Sequence, residues 1–221
     1  MQDRWDALRR QLAGRTKRDL IEGMVVRSPH RVALEKLVVA LEAYPLYLLM
    51  LAHDHPTRIW LLDRGEPVSS AAILDDEARG RRWHSAGITV DECDGLTDVV
   101  GDQVVMVVSW KTLLLMRHEF AHVVTTFFSP RVRGYLETLY AHAKQRGAFT
   151  EPLAAESLGE YIACGLSYYF FPDLRDELLQ IDEPLYRLVD DILRRAEAVS
   201  ARMQDMADDS TVAILDEPPT H

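Results

Sequence analysis

His118-Glu119-Phe120-Ala121-His122 is the part of the chain whose residue types and spacing could do chemistry. Two histidines at i and i+4 stand one turn apart on one face of a helix, so both imidazoles reach a single ion. Glu119 follows the first histidine, on the flank of that face, and can address a water on the ion without taking a coordination position. A zinc ion (Zn2+) held in this way lowers the pKa of its water to about 7, and the glutamate then serves as general base for attack on a carbonyl. A polar cluster on a surface helix would share this spacing. The context argues against it, because the apolar run Leu113-Leu114-Leu115-Met116 leads into the motif and a candidate buried strand leads into that helix.

A catalytic zinc takes three protein ligands and keeps a fourth position open, so one ligand must come from elsewhere. The best segment is residues 152–163, Pro-Leu-Ala-Ala-Glu-Ser-Leu-Gly-Glu-Tyr-Ile-Ala. A helix is expected from a Thr150 cap to Phe170, with Pro152 in its first turn, and it places Glu156 and Glu160 one turn apart on one face. Ala154, Ala155, Ser157, Gly159, Ala163 and Gly165 are small and let another helix approach closely. One carboxylate could bind the ion while the other holds a histidine from behind; a solvated glutamate pair is the alternative.

Hydrolysis also needs an oxyanion stabiliser besides the metal. Tyr135, Tyr140, His142, Tyr161, Tyr168 and Tyr169 are candidates, and spacing does not choose among them. His53-Asp54-His55 is a second cluster of metal-binding types, but it closes a helix before Pro56, which favours a cap or loop role. Cys93 has acidic neighbours, Glu92 and Asp94, that disfavour a thiolate nucleophile.

The elements that must position these residues follow from periodicity and punctuation. Residues 2–25 read as one or two short amphipathic helices, and residues 31–43 as a helix with Val32, Leu34, Leu37, Val38 and Leu41 on one face. Pro45 starts a short helix to about Ala52. Strands are predicted at 58–62, 87–90 and 103–108, with loop or ragged hairpin at 63–82. Ser109 is expected to cap the active-site helix, residues 110–127, which Ser129-Pro130 closes. Helices then follow at 133–146, at 150–170, and from just after Asp182 to about Met206. The order is α+β. One domain is expected over residues 1–206, with an N-terminal helical appendage at 1–30, a core at about 31–171 and C-terminal helices at 172–206. Residues 207–221 read as a disordered tail.

The 221 residues suit one domain, and 48% hydrophobic with 27% charged residues is an ordinary globular composition. The formal net charge is -10; no Lys/Arg block is interleaved with aromatics, so nucleic acid is not an expected partner. Two cysteines, Cys93 and Cys164, make no disulfide framework and fit a reducing compartment. The N-terminus stays charged through Arg18 and lacks the apolar core of a secretory signal. The most apolar stretch, residues 37–52, is interrupted by Glu42 and Pro45 and is too short to span a bilayer. A soluble, cytoplasmic protein with no membrane association is expected.

On these motifs the chain resembles the gluzincin metallopeptidases, the thermolysin-like and lethal-factor-like group. The resemblance implies a minimal zincin-like fold, a small mixed sheet on an active-site helix with a mostly helical C-terminal half. It also implies a zinc metallopeptidase acting on a peptide or protein substrate, with His118 and His122 as ligands, Glu119 as base and a glutamate on a following helix as third ligand. The stretch Glu156-Ser157-Leu158-Gly159-Glu160-Tyr161 is similar to the family's Glu-Gly-Leu-Ala-Glu-Tyr type. That alignment makes Glu156 the ligand and Glu160 its supporting neighbour, and it is preferred because both positions keep a carboxylate. An alternative alignment, to the Glu-Phe-Phe-Ala-Glu segment of anthrax lethal factor, makes Glu160 the ligand and puts Cys164 where that pattern has a glutamate. The segment between His122 and Glu156 is longer than in thermolysin-like enzymes. A protein of another class, a binding or regulatory domain with a structural or vestigial metal, would keep the same motif without turnover.

Overall fold

The computed structural model describes residues 15–80 and 87–205. Its centre is the strand Gln103–Ser109 (β4), an unbroken apolar run because both faces of the sheet are covered there. It pairs in parallel with Thr57–Leu62 (β2), which pairs in parallel with Val25–Arg27 (β1), and it pairs antiparallel with Gly95–Val100 (β3). The sheet is mixed, in the order β1-β2-β4-β3. β3 returns to β4 through Gly101-Asp102, where Gly101 takes φ +63°, in the left-handed region that glycine tolerates.

Around the sheet run helices Lys17–Met24 (α1), Arg31–Leu41 (α2), Leu46–Asp54 (α3), the short Asp76–Gly80 (α4), Leu113–Thr125 (α5), Pro130–Arg146 (α6), Leu158–Tyr169 (α7), Pro172–Ile181 (α8) and Glu183–Asp205 (α9). The fold is α+β. The period of two divides the sheet's side chains between two cores. Val104, Met106 and Val108 of β4, with Ile59 and Leu61 of β2, join the helices in the larger one. Val105, Val107, Leu62 and Leu96 face the other way and meet Val68, Ala71, Leu74, Ala78 and Val90 of the 63–94 segment. Among the described residues no helix is long and apolar enough to cross a membrane.

Several boundaries differ from the sequence expectation, each for a local reason. Residues 87–90 form no strand of the sheet: Thr89 caps a 3₁₀ turn at Val90–Glu92, and the strand is β3. Ser109 does not cap the active-site helix, because it is still paired with Leu62 in the sheet; Thr112 caps instead, its Oγ1 accepting from Leu115 N at 3.0 Å. The helix expected from Thr150 to Phe170 is broken. Pro152–Ala155 is a 3₁₀ turn, Ser157 is extended at φ -153°, and its side chain caps a new helix that starts at Leu158. Val25, expected to end a helix, opens β1 at Val25–Arg27, and α8 at Pro172–Ile181 is a further helix of the C-terminal part, ahead of the one expected after Asp182. The helical reading of residues 2–14 and the tail at 207–221 fall outside the described residues.

Candidate metal centre

Helix α5, which carries the His118–His122 motif, lies between the sheet, α2 and α7. Met116, Phe120, Val123 and Val124 are spaced to bury one stripe, and each has 0% exposure. Arg117 anchors the helix further: its Nε donates to the Ala40 carbonyl at 2.9 Å, its guanidinium stacks over Phe171, and its own carbonyl accepts from the Tyr44 hydroxyl at 2.8 Å. With that side fixed, His118, Glu119 and His122 meet α7 and β3.

Three donor groups converge there. His118 Nε2 is 3.0 Å from Glu160 Oε2, His122 Nε2 is 3.5 Å from Glu160 Oε1, and the two Nε2 atoms are 3.2 Å apart. One ligand atom from each of the three lies within 4.8 Å of the others. Glu160 stands in the first turn of α7, its N–H capped by Ser157 Oγ at 3.1 Å. Gly159, just before it, lies beside His122, whose Nδ1 would be in ordinary van der Waals contact, at 3.8 Å, with a Cβ at that position.

The expectation that Glu156 joins the histidines is corrected by this geometry. The break at Ser157 takes residues 156 and 160 off a common helix face; Glu160 is buried among the imidazoles, and Glu156 is exposed outside the three-residue cluster. Burial opposes ionisation of Glu160, but hydrogen bonds to His118 and His122 outweigh it and hold its carboxyl down to about 2. Burial likewise disfavours a charged His118, and the Glu160 carboxylate overcomes that and raises it. Two imidazoles and one carboxylate with ligand atoms this close could hold a metal ion, and the donor set suits zinc.

Glu119 stands beside the cluster rather than in it. Its Oε2 and its carbonyl oxygen both lie 2.9 Å from Thr97 Oγ1. Burial pushes the Glu119 carboxyl up, against the pull of His122, His118 and Thr97. The Thr97 hydroxyl stands where it can donate to either of these two acceptors, the Glu119 carboxyl or the Glu119 carbonyl. Gly95 makes this position accessible: a Cβ there would come within 2.6 Å of Glu119 Oε1. Behind the metal-facing edge of His118, its Nδ1 faces the buried Cys164 thiol at 3.9 Å. Burial pushes that thiol up, and the nearby Glu151 carboxylate adds to the shift.

Sequence reasoning missed Gly95, Thr97 and Glu151. The Gly-Asp turn between two valine pairs signalled the hairpin that carries the first two. The tyrosine and histidine candidates for an oxyanion role go elsewhere. Tyr140, Tyr161 and Tyr169 donate to Ala155 O, Asp182 and Asp190, and among the described residues none of the six lines the cavities beside the cluster. His53 sits near Arg15 and His55 against Phe127, so these two rings have separate surroundings.

Comparison of the sequence with protein-family models finds no match, and comparison with curated proteins finds none. Solved structures do match. The Pro-Pro endopeptidase PPEP-2 from Paenibacillus alvei superposes with a TM-score of 0.57 at 16% sequence identity, over 77% of this chain and 98% of that one. At that identity the likeness is one of fold, the α+β zincin-like architecture.

Proposed function

We propose that this protein is a zinc metallopeptidase of gluzincin type, in which His118, His122 and Glu160 hold the ion and Glu119 is the general base. The observation that carries the reading is the convergence of three donor groups, two buried and one half-buried, beside a glutamate that is not one of them. Zinc in such a site supplies Lewis acidity toward a carbonyl. Glu119 and Glu160 line both a cavity of about 490 Å³ and a second of about 170 Å³. The base thus stands where a polypeptide running from one cavity to the other presents its backbone. Once ionised, Glu119 takes the proton of the attacking water and returns it to the departing amine. Thr97 orients the carboxyl, and the packed face of α5 keeps it in register. The peptidase fold of the solved neighbour agrees with this activity, and a content of only two cysteines fits action inside the cell.

The test compares wild type with Glu119→Gln at equal zinc content, using a digested lysate read by mass spectrometry to find cleaved peptides. Both proteins should carry about one zinc per chain by elemental analysis. Cleavage by the variant should fall by about two to four orders of magnitude. Cleavage that persists unchanged in Glu119→Gln assigns the activity to something else. Wild type that binds zinc tightly and cleaves nothing is a binding protein on a peptidase fold.

A further inference from the structure

The larger cavity beside the histidines has apolar walls. Leu114 and Leu115 come from the first turn of α5, Pro152 and Leu153 from the turn before α7, and Ile88 from the outer segment. Ile88 and Leu153 are large apolar side chains left 37% and 41% exposed at this one place. Exposed apolar groups gathered at a cavity mark a surface that something covers.

Asp94, Glu119, Glu151, Glu156 and Glu160 line the cavity beside His118, and among the described residues no Lys or Arg does. Three of these carboxyl groups have partners already. Asp94 is paired with Lys111, Glu160 with the histidines, and Glu119 with the Thr97 hydroxyl. Glu151 is half-buried, and it interacts with the Cys164 thiol and the Tyr168 hydroxyl, with His118 also within reach of its charge. Glu156 is exposed at the mouth.

We propose that this cavity selects its substrate by a lysine or arginine side chain, with the aliphatic stem along Leu114, Leu115 and Leu153 and the cationic end at Glu151 and Glu156. The inference rests on the peptidase reading and names the class of substrate for that site. Long basic side chains are the ones that combine an apolar stem with a charged tip. A purely apolar side chain would cover Glu151 and bring it no counter-charge, which is costly. An acidic side chain would meet like charge.

The experiment uses zinc-loaded Glu119→Gln protein and randomised peptide pools that differ at one fixed position: Arg, Lys, norleucine, Leu, Phe or Glu. Retained peptides are identified by mass spectrometry, and wild-type cleavage of the same pools is measured in parallel. The Arg and Lys pools should be retained over norleucine by about 10–100-fold, the range carried by one hydrogen bond to a charged group. Adding Glu151→Gln should cut that preference about tenfold with zinc content unchanged. Adding Glu151→Lys should turn it toward the Glu pool. Glu156→Lys should act in the same direction but more weakly, since its site is solvated. Selection led by Leu, Phe or norleucine, unmoved by the Glu151 variants, overturns the inference and leaves the peptidase reading standing. Retention of basic pools with no wild-type cleavage supports the cavity's selectivity and overturns the peptidase reading. If no pool is retained and none is cleaved, both fall.

Discussion

The two faces of the sheet are built differently. On the helical face, β4 buries Val104, Met106 and Val108 against long helices that also bury Phe120, Ile162 and Val189. On the other face, Val105 and Val107 meet a segment of short turns whose buried residues are mostly small or medium, among them Val68, Ala71, Leu74 and Ala78. Local polar contacts hold that segment: Thr89 and Glu92 form a capping box, Ser69 pairs with Asp91, and Glu66 bonds the Asp63 N–H. All three members of the His-His-Glu cluster come from the helical face. Ile88, Cys93 and Asp94, from the other side, wall the larger cavity. The division teaches that the metal centre takes its precision from dense packing, while the outer wall of the cleft can vary without disturbing it.

The largest expected effect tests that division by cavity formation on each side. Phe120→Ala removes a fully buried ring that contacts Tyr44 edge-on at 4.9 Å. It should cost ~3–5 kcal/mol and weaken zinc binding, because the vacated space lies beneath the ligand-bearing turn. Leu74→Ala, in the smaller core, should cost ~2 kcal/mol, the low end for such truncations, and leave zinc affinity unchanged within about twofold. Urea unfolding and zinc titration of both variants provide the readouts. Equal costs, or zinc loss in Leu74→Ala, would show that the two faces form one cooperative unit around the metal.

How much of this was legible follows the same division. His118, Glu119 and His122 were readable because a helix turn alone sets their relation, and β2 and β4 were readable from their apolar runs. The third member, Glu160, was legible only as the alternative to Glu156. Thr150 and Ser157 both suit a helix cap, and only an uninterrupted helix puts Glu156 and Glu160 on one face. The break depends on the extended Ser157, whose side chain caps α7, and on the tight turn at Pro152–Ala155 before it. β3 was missed because Thr97, Asp98 and Val99 are only partly buried or exposed, so its apolar alternation is weak. Residues 87–90 attracted the strand reading by β-branched composition, while Thr89 and Glu92 turned the chain instead.

A second, smaller effect separates the two glutamates by where each is rooted. Glu160 belongs to α7 in the dense core, and Glu156 to the connection along the cleft. Glu160→Ala should weaken zinc binding by more than ~100-fold, beyond the usual loss from a merely supporting residue. Glu156→Ala should change it by less than about threefold, the scale of an exposed charge. Competition against a chelator of known affinity ranks the variants. The reverse ranking would mean that the connection, not the core, supplies the third ligand and that the chain rearranges on binding the ion.

The smallest effect concerns how the outer segment is tied to the sheet. Glu66 reaches back to β1, where its Oε2 accepts from Arg27 at 2.6 Å, and it also bonds Asp63 N and Ser70 Oγ. Partial burial pushes its carboxyl up, but the bonds from Arg27, Asp63 and Ser70 prevail and hold it below its ordinary 4.5. A carboxyl depressed in the folded state contributes stability that is fully present above the unfolded value and is lost as pH falls through the folded one. Glu66→Gln should therefore cost about 0.5–1 kcal/mol at neutral pH, the scale of a partly solvated ion pair. The gap between variant and wild type should close as pH is lowered below 4.5, the carboxyl's ordinary value. Urea midpoints across that range, with hydrogen exchange of residues 63–80 read alongside, give the comparison. Acid should loosen the outer segment before it loosens α5 and α7, because charge tethers the first and apolar burial the second. A gap that stays constant with pH would make Glu66 a packing residue, and the two faces would then differ in the amount of their packing rather than in its kind.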